Sequence, residues 1–450
     1  MKRYLRFSAY QSVLLLGVSF LLFGLHTFNV ISLIIATIGA FCWHLSAPNS
    51  SHKHHAIIIG IILATFVNIL GLSLYAITFG NIPKTPTFTG SIVLTEQSKA
   101  AEDLYIEFAD FSEKQDALST LPEDVFKAIS EKKYDDPAVK KAFDDTVEAR
   151  LQIENMLKRG PMSVPKDQLT WDGKLPRYTI LVNWMKLELY GVYRYLASGR
   201  FSEAEKRYST LWDLTVLMYN GNQIPIGASV TRALTIQLVE FPFSLDSGRR
   251  MINKASLSAY LKQAEEQMDG MFARSIDAEY YTFKQSVDAM SSAALIPSSN
   301  EKATFPEKLL YGYIARWPFF DKEDLTKNTH AMFLSMRGSY TIPYYTIVEK
   351  TRNDSKTEYK RPPFYKNILG NVFYNIAMPS YDMINFGKEK AKSEIICLRA
   401  YLEGGLTAVE KAVDPLTGKP FVVSKTDRIL RLSTEFIEKN EPAWKLEIIQ

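Results

Sequence analysis

The chain has 450 residues, 46% of them hydrophobic and 12% aromatic, which exceeds one ordinary domain and excludes a disordered polypeptide. Its formal charge of +4 is uneven: residues 1–80 hold four of the 53 basic side chains and none of the 49 acidic ones. The remaining 370 residues are therefore balanced, so the basic pI of 8.6 is a property of the N-terminal flank and no sign of nucleic-acid binding.

Residues 8–47 are apolar for too long to be a single span, since forty residues of helix would extend roughly 60 Å against a hydrocarbon core of about 30 Å. The polar break His26-Thr27-Phe28-Asn29 divides them into spans over about 9–25 and 30–45. After the polar loop SAPNSSHKHH comes Ala56–Phe79, 24 residues without one charge, which reads as a third membrane helix. Lys2, Arg3 and Arg6 precede the first span and Lys53 lies between the second and third. With three spans, both basic segments fall on the side assigned to the cytoplasm, and everything after residue 80 lies outside. The competing topology, one span plus a re-entrant piece, puts the large domain inside. No short apolar core with a small-residue cleavage site is present, so a signal peptide is not indicated. Gly60 and Ala64 have the spacing of a helix-packing pair, for which chance is the simpler explanation.

A linker spans residues 81–98, where Pro83 and Pro86 end the preceding helix and SIVL suggests a short strand. Residues 99–450 then read as one soluble, mainly α domain. In the first helix Asp103, Glu107 and Asp110 share a face, which suits a cation site but more simply a solvated surface. The next helix is capped by Asp136, with Pro137 in its first turn and Gly160-Pro161 at its end; Val139, Phe143, Val147 and Leu151 predict its buried stripe. A helical hairpin follows at 178–220. Leu181, Met185, Leu189, Val192 and Leu196 form one core stripe, Gly199 lies in the turn, and Ser202 with Glu205 makes a capping box. Ala204, Tyr208, Leu211, Thr215 and Met218 line the second helix. Its phrase YLASGRFSEAEKRYSTL resembles the turn of a tetratricopeptide repeat, although nothing recurs at a 34-residue period.

Helical patterning resumes at 226–241, at 256–275 with a stripe of Leu257, Leu261, Ala264, Met268 and Phe272, and over 277–292. Glu279 beside Tyr280 and Tyr281 has the setting of an acid with a raised pKa, yet a lone glutamate on a helix is more commonly structural. His330, on a helix near 322–337, is the single histidine of the domain. Five of six histidines lie in the membrane region, so no histidine-rich metal centre is expected. Cys397 has no partner within the domain. The stretches 293–320 and 339–365 are irregular, and the basic residues 350–361 are interleaved with acids, as in a solvated loop. Pro379 precedes a last long helix over about 381–402, ending at Gly404-Gly405. The turn phrase Asp414-Pro415-Leu416-Thr417-Gly418-Lys419-Pro420-Phe421 and a short β segment close the chain.

With that phrase and the Gly199–Ala204 turn, residues 178–423 resemble an uncharacterised family of bacterial, membrane-anchored, mainly helical envelope proteins that end in a DPxTGKP-type phrase. The phrase alone is also similar to the end of the type II secretion major pseudopilins. Gly404-Gly405-Leu406-Thr407 departs from the Gly-x-Tyr-Pro step of those proteins, no glycine- and aspartate-rich segment follows, and three spans are not a pilin's one helix. The resemblance implies a fold and a location, since the family has no established activity.

The sequence thus predicts three transmembrane helices, then a large helical domain with helical-hairpin packing and at most a small C-terminal β element. The expected protein sits in the bacterial inner membrane with its domain in the periplasm, where it binds another envelope component, protein or cell wall. No catalytic, cofactor-binding or metal-ligating residue is assigned, no cofactor is expected, and no nucleic-acid partner. The alternative is a carboxylate-based hydrolase acting on cell-wall glycans, its site assembled across the loops at 293–365. Three short spans without an intramembrane acid or base argue against a channel.

Overall fold

In the computed structural model, the described residues are 92–170, 172–221, 223–245, 248–289, 322–347, 368–426, 429–438 and 441–449. The three expected spans, most of the linker and the greater part of both irregular zones lie outside them. Among the described residues no helix is long and apolar enough to cross a membrane. The chain divides into two units, one made of Met1–Thr87, Asp288–Lys327 and Tyr359–Asn375, the other of Phe88–Val287, Asn328–Glu358 and Ile376–Gln450. The described residues of the first unit are all helical. The second unit is mainly helical with a small C-terminal β element.

Residues 92–98 are extended without pairing, so the expected SIVL strand does not form; Ile92 is simply buried as an apolar plug. Helix α1 (Lys99–Glu113) is capped by Ser98, whose side chain accepts a hydrogen bond from Ala101 N. It buries Leu104, Tyr105, Phe108 and Ala109. Short helices α2 (Asp116–Ser119) and α3 (Glu123–Ser130) lead to α4 (Pro137–Asp145), where Asp136 accepts from Ala138 N at 2.9 Å as its position predicts.

The helix expected to continue to residue 158 is broken. At Thr146 the backbone leaves helical geometry (φ −106°, ψ 12°), and the threonine hydroxyl donates to Ala142 O at 2.7 Å. The new helix, α5 (Val147–Lys158), starts in a different phase. Of the predicted stripe only Val139 is fully buried; Val147 and Leu151 are 46% and 54% exposed. The inward face of α5 carries Arg150, Ile153, Glu154, Met156 and Leu157.

The hairpin forms as predicted from α6 (Thr179–Ala197) and α7 (Phe201–Met218), with every named core residue of both helices buried. Gly199 adopts a left-handed φ of 76° in the turn, where a side chain would be strained. The capping box does not form. Helix α7 begins at Phe201, which puts Ser202 inside the first turn, and Arg200 at the cap position pairs with Glu203 at 2.9 Å instead. Leu211 is fully enclosed in this hairpin, so Leu211→Ala should lower the unfolding free energy by about 2–5 kcal/mol in urea titrations.

Helix α8 (Pro225–Glu240) packs on both arms of the hairpin, and Tyr208 of α7 donates to Leu238 O at 2.6 Å. The stretches expected as two helices over 256–292 are one helix, α9 (Lys254–Ala289), with its predicted stripe buried. Helix α10 (Lys322–Ser339) runs antiparallel to α9: Tyr340 stacks on Phe272 (5.8 Å), Arg337 pairs with Asp277, and Phe333 meets Tyr280. The last helix, α11 (Ile368–Lys411), begins well before the predicted start and continues through Pro379, whose missing N–H removes one bond of a long ladder. It is interrupted at Gly405 (φ 64°), where the sequence places its end.

The tail forms β1 (Val422–Lys425), β2 (Ile429–Ser433) and β5 (Lys445–Ile449) as an antiparallel sheet ordered β1-β2-β5. A two-stranded pair, β3 (Ile437–Glu438) and β4 (Glu441–Pro442), lies between β2 and β5 in the chain.

Candidate functional site

The residues that the sequence marks for chemistry are not brought together. Asp103, Glu107 and Asp110 are exposed, and each pairs with a cation: Lys99 at 3.0 Å, Arg159 at 2.5 Å, and Lys174. They form the solvated face. The imidazole of His330 lies 5.4 Å from the ring of Tyr280, and burial together with Lys284 holds its pKa below the usual value. Glu279 is half-buried and has its own partners; the deeply buried acid of α9 is Asp277, two residues earlier. Burial raises the Asp277 pKa against the opposing pull of Arg337 at 2.9 Å. Cys397 is a free, buried thiol, its pKa raised by burial and then by the nearby carboxyl groups of Asp414 and Glu394.

The polar chemistry of this domain sits between helices, in four clusters. The first lies where α5, α6 and α7 meet. Glu188 of α6 accepts from Arg150 (2.5 Å) and Arg207 (2.5 Å), and Arg207 also reaches Glu154 (2.6 Å), which holds Lys158. The Arg150 guanidinium lies 3.6 Å from the centre of the Phe143 ring. Burial works against ionisation of Glu154, but Arg207 and Lys158 prevail and hold its pKa below normal. Glu188 stands three residues after Met185 and four before Val192, at core spacing, so a charge in the hydrophobic stripe was the available signal.

A second cluster joins α9 and α11, which run antiparallel. Lys388, fully buried, donates to Asp269 (2.9 Å) and to Tyr340 O, and lies 2.5 Å from Glu389. Lys392 takes the other oxygen of Asp269 at 2.7 Å; one turn further along, Arg399 holds Glu265. Burial raises the Glu389 pKa, with Lys388 opposing.

The third cluster is the turn phrase itself. The Asp414 side chain is completely buried. One oxygen accepts from Ser393 Oγ (2.6 Å) and Leu416 N (2.9 Å), the other from Thr434 Oγ1 (2.5 Å) and Thr417 Oγ1 (3.3 Å). Trp444 Nε1 donates in turn to Ser393 Oγ at 2.7 Å. A single carboxylate thus ties α11, the turn and the sheet together. Gly418 takes the left-handed conformation that this turn requires (φ 70°).

The fourth is the seam between α8 and α11. Gly387, Ala391 and Glu394 recur on one face of α11, and Arg232 Nη1 approaches Gly387 so closely that a Cβ there would lie 1.8 Å away. Two turns along α11, the buried Glu394 feels the charge of Glu240, exposed at the end of α8.

Among the described residues no three His, Cys, Asp or Glu side chains are grouped to hold a metal ion. In the first two clusters the buried charges meet opposite ones, and in the third the Asp414 carboxylate is satisfied by four hydrogen bonds. Comparison with protein families, with curated proteins and with solved structures yields no match to this chain.

Proposed function

We propose that this chain is a multi-pass inner-membrane protein whose helical domain lies on the periplasmic side and binds another envelope component, protein or cell wall. The membrane part of the reading is supported by the uncharged run Ala56–Phe79, with the basic flanks giving its orientation. The observation that carries the binding part is the disposition of charge. The buried Arg150, Lys388 and Asp414 and the half-buried Arg207 all have partners in adjoining elements, so they serve a rigid helical scaffold and leave binding to its surface. The α6–α7 hairpin is of the tetratricopeptide type in its turn, and the resemblance at 414–421 points to the same envelope setting.

A carboxylate hydrolase needs two carboxyls across an open cleft, roughly 5–10 Å apart. Glu394 of α11, whose Oε1 has no hydrogen-bond partner among the described residues, is 4% exposed and so does not flank an open cleft. The test uses a photo-crosslinking residue at Leu151, an exposed apolar position of α5, in the intact membrane-inserted chain, with sedimentation against purified cell-wall sacculi in parallel. One discrete adduct that disappears on Leu151→Glu, or co-sedimentation with sacculi, is the expected result. No adduct from a panel of exposed positions and no sedimentation contradict it.

A further inference from the structure

The seam between α8 and α11 contains a carboxyl that the scaffold does not neutralise. Glu394 belongs to the buried stripe of α11 with Ala391 and Leu398, is 4% exposed, and its Oε1 has no hydrogen-bond partner among the described residues. An ionised carboxylate in that position would lack the bonds that normally accompany a buried charge.

The surrounding charges point the same way. Glu240, exposed at the C-terminal end of α8, acts on Glu394 as a like charge. Lys390, one turn earlier on α11, acts on both carboxyls and also lies 3.6 Å from Glu438 of β3. Lys132, in the connection before α4, acts on Glu240. Further along α11 the Cys397 thiol and the buried Asp414 add only negative or neutral groups. Glu240, Glu438 and Lys132 are exposed and Lys390 is partly so; the one member of this group shut away from water is Glu394.

We infer that a proton neutralises Glu394: its buried carboxyl closes the α8–α11 seam when protonated and loosens it when the proton leaves. Burial, then the Glu240 charge, raises the Glu394 pKa well above the ordinary 4.5. A group held protonated in the fold contributes stability that is complete below its unfolded pKa and is lost as the pH rises toward its folded one. The seam is tight in acid and weakens upward from about pH 4.5. On the face of a membrane that meets changing external pH, such a catch ties the packing of the domain to its surroundings.

The test is the melting temperature of the full chain between about pH 5 and about pH 9, in chelator, for wild type, Glu394→Gln and Glu240→Gln. Glu394→Gln keeps the shape of the protonated acid and removes its titration. It should match wild type at the acid end and melt higher at the alkaline end. Glu240→Gln removes the repulsion, so the decline should start at the same pH, end at a lower one and be smaller than in wild type. The infrared band of a protonated carboxyl should be present in wild type at neutral pH and missing from Glu394→Gln, a readout that a purely structural role does not give. Glu389→Gln, in the neighbouring cluster, controls for other titrations. Wild-type and Glu394→Gln profiles that run parallel, or the absence of the band from wild type, overturn the proposal. So does a rise in wild-type melting temperature with calcium or magnesium that Glu240→Gln abolishes, since the two carboxyls would then hold a metal ion.

Discussion

Asp414→Ala should lower the unfolding free energy by about 3–5 kcal/mol, among the largest losses available to one substitution in this chain. Its carboxylate is completely buried and accepts from two threonines, a serine and a backbone N–H, contributed by α11, the turn and the segment after β2. Truncation leaves those donors buried without an acceptor, and each unsatisfied donor costs about 1–3 kcal/mol before relaxation. Total stability for a domain is about 5–15 kcal/mol, so the loss is a large fraction of it. The sheet should detach first, because the same knot positions Trp444 through Ser393. A urea titration followed by near-ultraviolet circular dichroism reads both effects. Asp414→Asn, which keeps one acceptor oxygen, should lose about half as much. A loss below about 1 kcal/mol for the alanine variant would show that the turn is held by something else.

Glu188→Ala should cost about 3–5 kcal/mol, for a different reason. Glu188 is the acceptor shared by Arg150 and Arg207, and its removal leaves the buried Arg150 guanidinium on Phe143 without a counter-ion. Replacing both partners, Arg150→Met with Glu188→Leu, should recover most of the loss, because a packed apolar pair escapes the desolvation cost. The coupling from the double-mutant cycle should change little between low and high salt, since burial keeps the pair from screening. A double variant no more stable than Glu188→Ala would mean that the ladder contributes net stability beyond charge compensation.

These two sites also mark the limit of what the sequence makes legible. Helices α6 and α7 are read correctly because apolar residues at helical spacing flank a glycine turn, and that pattern leaves few alternatives. The same rule fails at Val147 and Leu151. Their spacing from Val139 fits an unbroken helix, and the departure of the backbone from helical geometry at Thr146 leaves no mark in the periodicity. Most of the interhelical ion pairs are concealed because each charge, taken alone, reads as surface; its partner on the other helix is 19 to more than 100 residues away. Glu188 and Glu394 stand on core stripes and carry the one available hint. Asp414 is recognisable as a turn former, but its role as a buried acceptor depends on Ser393 and Thr434, which only the fold brings near.

The envelope reading depends on which side of the membrane the large domain occupies, and that can be measured outright. A single cysteine at Ser130, an exposed position at the end of α3, is labelled in a chain whose Cys42 has been replaced; the thiol of Cys397 is buried. In cells with a permeabilised outer membrane and an intact inner one, a membrane-impermeant maleimide should label Ser130→Cys fully. Labelling that appears only after the inner membrane is lysed would place the domain in the cytoplasm and contradict both the three-span topology and the proposed envelope partner.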